Sequence, residues 1–297
     1  MPPTPAARPL RLGYVANPFS LPIVVAQERS YFSEAGLDLE METFPNGSAA
    51  TAALNDGSID LGVSGHLQTL MAARGPVKQV FIAPLGFEEA PGHLPVALLG
   101  REHVTSAKDL EGRSVAVSAL GAISELQLRI FMAADGAAYD AVTLSPMPFR
   151  EMGAALESGA VAAASVPEPF ASLLVTEGHG RVIDRGSLSR ALRPGERAMV
   201  AGLVAPEAWV ASEAGLVERV VEAVGRAIDD LLGDLALAGA RMVTAAGVEH
   251  VRAAGLQTPR FDRHLDASDL QRVYDLALTH GLIDRPADAA DLIAPSA

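Results

Sequence analysis

Five short segments of this chain combine hydroxyl, amide and glycine residues where backbone amides can face a ligand. They are Asn17 with Phe19 and Ser20, Asn46-Gly47-Ser48, Ser64-Gly65-His66, Ser118 with Leu120, Gly121 and Ala122, and Glu168 between two prolines. Small residues allow close approach to the main chain, and a helix start presents N–H groups with no partner inside the helix. The chemistry this favours is non-covalent capture of a small polar molecule, above all an anion. His66 either hydrogen-bonds the ligand or faces solvent or a neighbouring loop from the first turn of a helix. Glu168 either accepts a cationic group or favours the dipole of the next helix from its first turn. Singly, Ser48 and Ser118 read as well as ordinary helix caps; their joint placement at strand ends points to a cleft. Phe19 and Phe87 fit either an apolar wall of that cleft or the core.

Signatures of covalent chemistry are missing from the sequence. There is no cysteine, the seven histidines never fall in an HExxH spacing, and no P-loop, GxGxxG or GxSxG occurs. Glu88-Glu89 is an adjacent carboxylate pair, but it lies in the proline- and glycine-rich stretch GFEEAPGHLP and reads as solvated hinge. No catalytic residue, metal ligand or cofactor is therefore expected. The formal charge of −13, from 36 acidic and 23 basic side chains in 297 residues, argues against nucleic acid or an anionic lipid surface as partner. No apolar run is long enough to span a membrane, so no direct membrane insertion is expected. The N-terminus MPPTPAARPLRL shows neither a secretory leader nor a lipobox, which gives the expectation of either a cytoplasmic protein or a mature or trimmed form.

These segments must be held by alternating strands and helices. Leu10 to Val15, Ile59 to Val63 and Lys78 to Leu85 read as buried strands, and Leu37 to Phe44 alternates as a half-buried one. Helices fall between them, stopped near Gly36, Gly57 and Gly75. After the 86–95 crossing the alternation restarts with strands near 95–100, 114–118, 141–145 and 160–165. This predicts an α/β fold with a parallel sheet in each of two lobes. AALNDGSIDLGVS at 52–64 and AALESGAVAAASV at 154–166 share one pattern of helix end, glycine stop and strand, one copy per lobe. Met199 to Val204 reads as a return strand, and long helices follow to about Leu282, including the one with the single tryptophan, Trp209. They are expected to pack back on lobe one.

The run AQERSYFSEAGLDLEMETFPNGSAATAALNDGSIDLGVSG, 26–65, with SAKDLEGRSVAV and VPEPFASLL, resembles the nitrate/sulfonate/taurine group of ABC-transporter substrate-binding proteins, NMT1/THI5-like. The likeness runs from about residue 10 to 235, and its one noted departure is Ala162, where that group often has aspartate. It implies a type II periplasmic-binding-protein fold: two lobes, a two-strand hinge, and ligand in the cleft. Lobe one would be 10–92 with 203–297, and lobe two 93–202. It implies a monomer that carries an alkanesulfonate, taurine-like or related small anion to an ABC transporter permease, outside the cytoplasm. The alternative is a soluble enzyme or sensor of the same fold. Desulfinases of that fold use a cysteine where this chain has Asn17; thiamin-pyrimidine synthases use lysine and histidine where it has Ser64 and Gln68.

Overall fold

Apolar strands and capped helices alternate through the first part of the chain, and the local sequence explains their limits. In β1 (Leu10–Val15), Leu10, Leu12 and Val15 are buried. After α1 (Leu21–Glu28) and α2 (Tyr31–Glu34), β2 (Leu39–Phe44) leaves Glu40, Glu42 and Thr43 exposed and Leu39, Met41 and Phe44 half-buried. Asn46 caps α3 (Gly47–Asn55) by accepting from the Ala49 N–H at 2.9 Å, and Gly57 follows with φ +75°, a left-handed value suited to glycine. Then come β3 (Leu61–Gly65), α4 (His66–Ala72) and the fully buried β4 (Gln79–Glu88). The computed structural model describes residues 8–248, 251–253 and 255–295.

The chain then crosses to a second sheet through β5 (Val96–Gly100) and β6 (Ser114–Val117), followed by α5 (Ile123–Ala134) and β7 (Thr143–Pro146). α6 (Met152–Ser158), β8 (Ala163–Pro167), α7 (Phe170–Thr176), β9 (Arg181–Arg185) and α8 (Ser187–Arg190) complete it. The return strand is β10 (Ala198–Pro206), followed by α9 (Glu207–Ser212), α10 (Ala214–Gly233), α11 (Leu235–Ala246) and α12 (Ala267–Thr279).

Two five-stranded sheets result, ordered β2-β1-β3-β10-β4 and β7-β6-β8-β5-β9. The expectation of wholly parallel sheets is corrected: β10 runs antiparallel to β3 and β4, and β5 antiparallel to β8 and β9. In each sheet the reversed strand is the one arriving from the other lobe, so it enters from the opposite end. The two copies of the repeated pattern become α3–β3 and α6–β8, and β3 and β8 each lie beside the reversed strand. A second correction concerns the lobe boundary, because Ala198 to Gly202 belong to β10 in the first sheet and not to the second lobe.

α10 packs its apolar stripe, including Val220, Val224 and Leu231, into the first lobe's core. Trp209 joins that cluster partly buried. α12 adds Val273 and Tyr274 to the cluster around Phe81 and Met199. The expected packing on lobe one has one addition: Val243 and Ala246 of α11 join Met152, Leu156 and Phe170 in the second lobe's core.

Candidate functional site

The C-terminal ends of β1, β3 and β8 and the starts of α3 and α5 converge on one cleft of about 90 Å³ between the two sheets. Lobe one contributes Asn17, Phe19, Asn46, Gly47, Ser64 and Gly65; lobe two contributes Ser118 and Ala122. All eight were expected from the sequence. Val15, Val63, Val96, Ile123, Phe149, Pro167, Val200 and Ala201 give the walls an apolar character. None of the described lining residues is ionisable.

Each lobe aims the start of a helix at this space. The Asn17 Oδ1 accepts from the Phe19 N–H at 3.0 Å and the Asn46 Oδ1 from the Ala49 N–H at 2.9 Å. Their carboxamide nitrogens make no hydrogen bond among the described residues and remain donors for a ligand. α5 begins at Ala122 without any side-chain cap. Its approach loop is fixed instead by Glu125, which accepts from the Gly121 N–H at 2.8 Å, from Arg129 and from the Tyr139 hydroxyl. The first N–H groups of α5, which has no side-chain cap, and those of α3 that Asn46 does not take offer hydrogen-bond donors to the cleft without a cationic side chain. Ser118 and Ser124 hydroxyls sit 3.3 Å apart, and Thr69 donates to the Ser64 Oγ at 3.1 Å.

Six expected site residues do not line the cleft. The Ser20 hydroxyl is buried and donates to the Val15 carbonyl at 2.7 Å, closing the turn before α1. Ser48 is exposed on the first turn of α3, and Leu120 is 61% exposed on the loop before α5. Gly121 supplies that loop's left-handed turn at φ +69°. Glu168 is buried, pairs with Arg185 at 2.9 Å and accepts from the Ser172 N–H at 3.0 Å, so it braces the start of α7. His66 is wholly buried: its Nδ1 lies 3.1 Å from the Val200 carbonyl, its Nε2 has no partner among the described residues, and burial pushes its pKa down to about 4. A helix that starts at His66 turns that ring toward β10 and Tyr274, not toward the cleft.

The second candidate wall, Phe87, is also core, with the Arg197 guanidinium 4.1 Å above its ring. Glu88 overturns the solvated reading of its pair. It is fully buried and accepts from Gln127 Nε2 at 2.8 Å and from the Ser189 N–H and hydroxyl at 2.9 and 3.1 Å. Burial pushes its pKa up to about 7 against those hydrogen bonds. Sequence reasoning missed Ser124 and Ser165 as polar lining, and singled out Gln68 only as the counterpart of the synthases' histidine. Gln68 and Ser124 lie within the first turns of α4 and α5, and Ser165 stands one place before the end of the second copy of the pattern, whereas Ser64 closes the first.

The alkanesulfonate-binding protein SsuA from Xanthomonas axonopodis pv. citri, bound to MOPS, has a similar structure: TM-score 0.77, 21% identity, 97% of this chain and 99% of that one covered. The periplasmic nitrate-binding protein NrtA from Synechocystis PCC 6803 matches with TM-score 0.79 and 15% identity, over 96% and 85% of the two chains. These likenesses carry the two-lobed periplasmic-binding-protein fold. A Saccharomyces cerevisiae 4-amino-5-hydroxymethyl-2-methylpyrimidine phosphate synthase, THI5, is 38% identical over 71 residues, 23% of this chain. That match spans about a fifth of the curated relative's length, 21%. The family model described as NMT1/THI5 like matches residues 17–234. Matched over most of its length, the chain belongs to the NMT1/THI5-like family.

Proposed function

We propose that this protein is the solute-binding component of an ABC importer, closing two lobes around a small molecule with a polar, anionic head such as an alkanesulfonate. The observation that supports it is the cleft itself: strand ends and helix starts of both lobes face one space whose lining holds no ionisable side chain. An anion there is neutralised by oriented amides of α3 and α5, while the apolar walls take the rest of the molecule. Binding on such groups needs no proton transfer and leaves the ligand chemically unchanged. The lobes turn about the crossings at 89–95 and 191–197, and the closed form is the one a permease recognises. This role carries with it an extracytoplasmic location and a monomer. No helix among the described residues is long and apolar enough to cross a membrane.

Native mass spectrometry of freshly purified protein, followed by thermal melts with methanesulfonate, taurine and nitrate, tests this. A true ligand at about a hundredfold excess over Kd adds ~2.7 kcal/mol and raises Tm by about 5 °C or more. Recovery of the ligand unchanged is expected. Turnover of the ligand, or dependence on an added cofactor, would overturn the carrier reading in favour of an enzyme of the same fold.

A further inference from the structure

Val15 and Phe149 line both the cleft and a second, adjoining cavity of about 230 Å³. One wall of this outer chamber comes from lobe one, through Phe44 at the end of β2 and Pro45. The facing wall comes from lobe two, through Pro148, Phe149 and Phe170. The Phe149 and Phe170 rings lie 6.0 Å apart with planes inclined by 28°, close to an offset stack. Phe170 is almost fully buried and gives a fixed floor, whereas Phe149 and Phe44 are half-buried and keep a free face. Among the described residues that line either chamber, Arg150 is the one ionisable side chain. Its guanidinium donates one hydrogen bond, from Nη2 to the Ala246 carbonyl at the end of α11, and lies 5.6 Å from the Phe170 ring.

Size and chemistry then divide the ligand. The inner chamber, about 90 Å³, takes a small polar head; the outer one is more than twice as large and is lined mainly by aromatic and proline side chains. A molecule confined to the inner chamber leaves that apolar surface unburied, which forgoes part of the available hydrophobic stabilisation. Resting on the reading that the inner chamber holds the polar head, we propose that the ligand also carries an aromatic group, seated in the outer chamber against Phe44, Phe149 and Phe170. A flat ring matches the nearly parallel phenyl faces, and its rigidity costs less entropy on binding than a flexible alkyl chain.

Calorimetry with two pairs of probes tests this: methanesulfonate with naphthalene-2-sulfonate, and acetamide with 2-naphthamide. Within whichever pair binds, the naphthyl probe should bind ~10-fold or more tightly than its methyl partner. Phe44→Ala should abolish most of that gain and Phe44→Leu part of it, while the methyl probe's affinity stays at the wild-type value and so reports an intact inner chamber and fold. A naphthyl probe no tighter than its methyl partner, or a gain untouched in both Phe44 variants, overturns the aromatic assignment and leaves the carrier reading standing. Binding of 2-naphthamide with the gain, but of neither sulfonate, supports the outer chamber and overturns the anionic head. Failure of all four probes to bind overturns both.

Discussion

Burial pushes His66 and Glu88 in opposite directions, and the stability of the protein inherits both. The His66 pKa falls from 6.5 to about 4 because desolvation outweighs its hydrogen bond to the Val200 carbonyl. The unfolded chain therefore takes up that proton first, and stability is lost as pH drops from 6.5 toward 4. Glu88 rises from 4.5 to about 7 by desolvation, helped by nearby Asp184 and opposed by Ser189 and Gln127. Here the folded state takes the proton first, so its contribution is full below 4.5 and is lost as pH rises toward 7. Between 4.5 and 6.5 the two slopes oppose each other, each at most about 1.4 kcal/mol per pH unit. Glu88→Gln removes one slope, so Tm of the variant should fall on acidification across that window while the wild type changes much less. A variant profile as flat as the wild type would count against this coupling. Glutamine fits the site because the Gln127 Oε1 is a buried acceptor without a partner among the described residues, and a turned amide there receives the new N–H. Neither shift was legible in the sequence, since both depend on what packs around the side chain.

At the scale of elements, the helix starts and glycine stops carry the cleft. Asn46 caps α3 and lines the cleft at once, so two substitutions separate those roles. Asn46→Ala should cost about 1 kcal/mol in urea unfolding, the usual loss of a cap. Asn46→Asp keeps the cap and should keep the stability, but it sets a negative charge among the lining residues. Binding of an anionic probe should then weaken ~10-fold or more in calorimetry, by like-charge repulsion in a partly dry site. Unchanged affinity in Asn46→Asp would mean that the ligand's head is not anionic. The helix and strand positions around Asn46, Gly57 and Gly159 were legible because caps and left-handed glycines are local properties. Strand direction in β5 and β10 was not, because no residue within a buried apolar strand records which neighbour it pairs with.

In the whole molecule, β4 and β10 run side by side where the chain leaves and re-enters the first lobe, with Ala198 opposite Glu88. Glu88 reaches from that point to Ser189 of α8 and Gln127 of α5, so the hinge is tied to the second lobe by hydrogen bonds to one buried carboxyl group. Closure about this hinge predicts a smaller radius of gyration in small-angle scattering when a tight ligand saturates the protein. An unchanged radius at saturation would argue that the cleft takes its ligand without lobe motion. By itself the sequence determined the α/β alternation, the two copies of the helix–strand pattern and eight of the cleft residues, Asn17 and Asn46 among them. Those are set by caps, glycines and apolar periodicity, which act over a few residues. Tertiary structure alone decided that His66, Glu168 and Phe87 turn into the core, that Glu88 is buried at the hinge, and that Phe44 and Phe149 face each other across a second chamber. Each of those outcomes depends on the direction of a side chain relative to another element, which lies in the same lobe for His66 and Glu168 and in the other lobe for Glu88 and for Phe44 with Phe149, and that direction is fixed only when those elements pack.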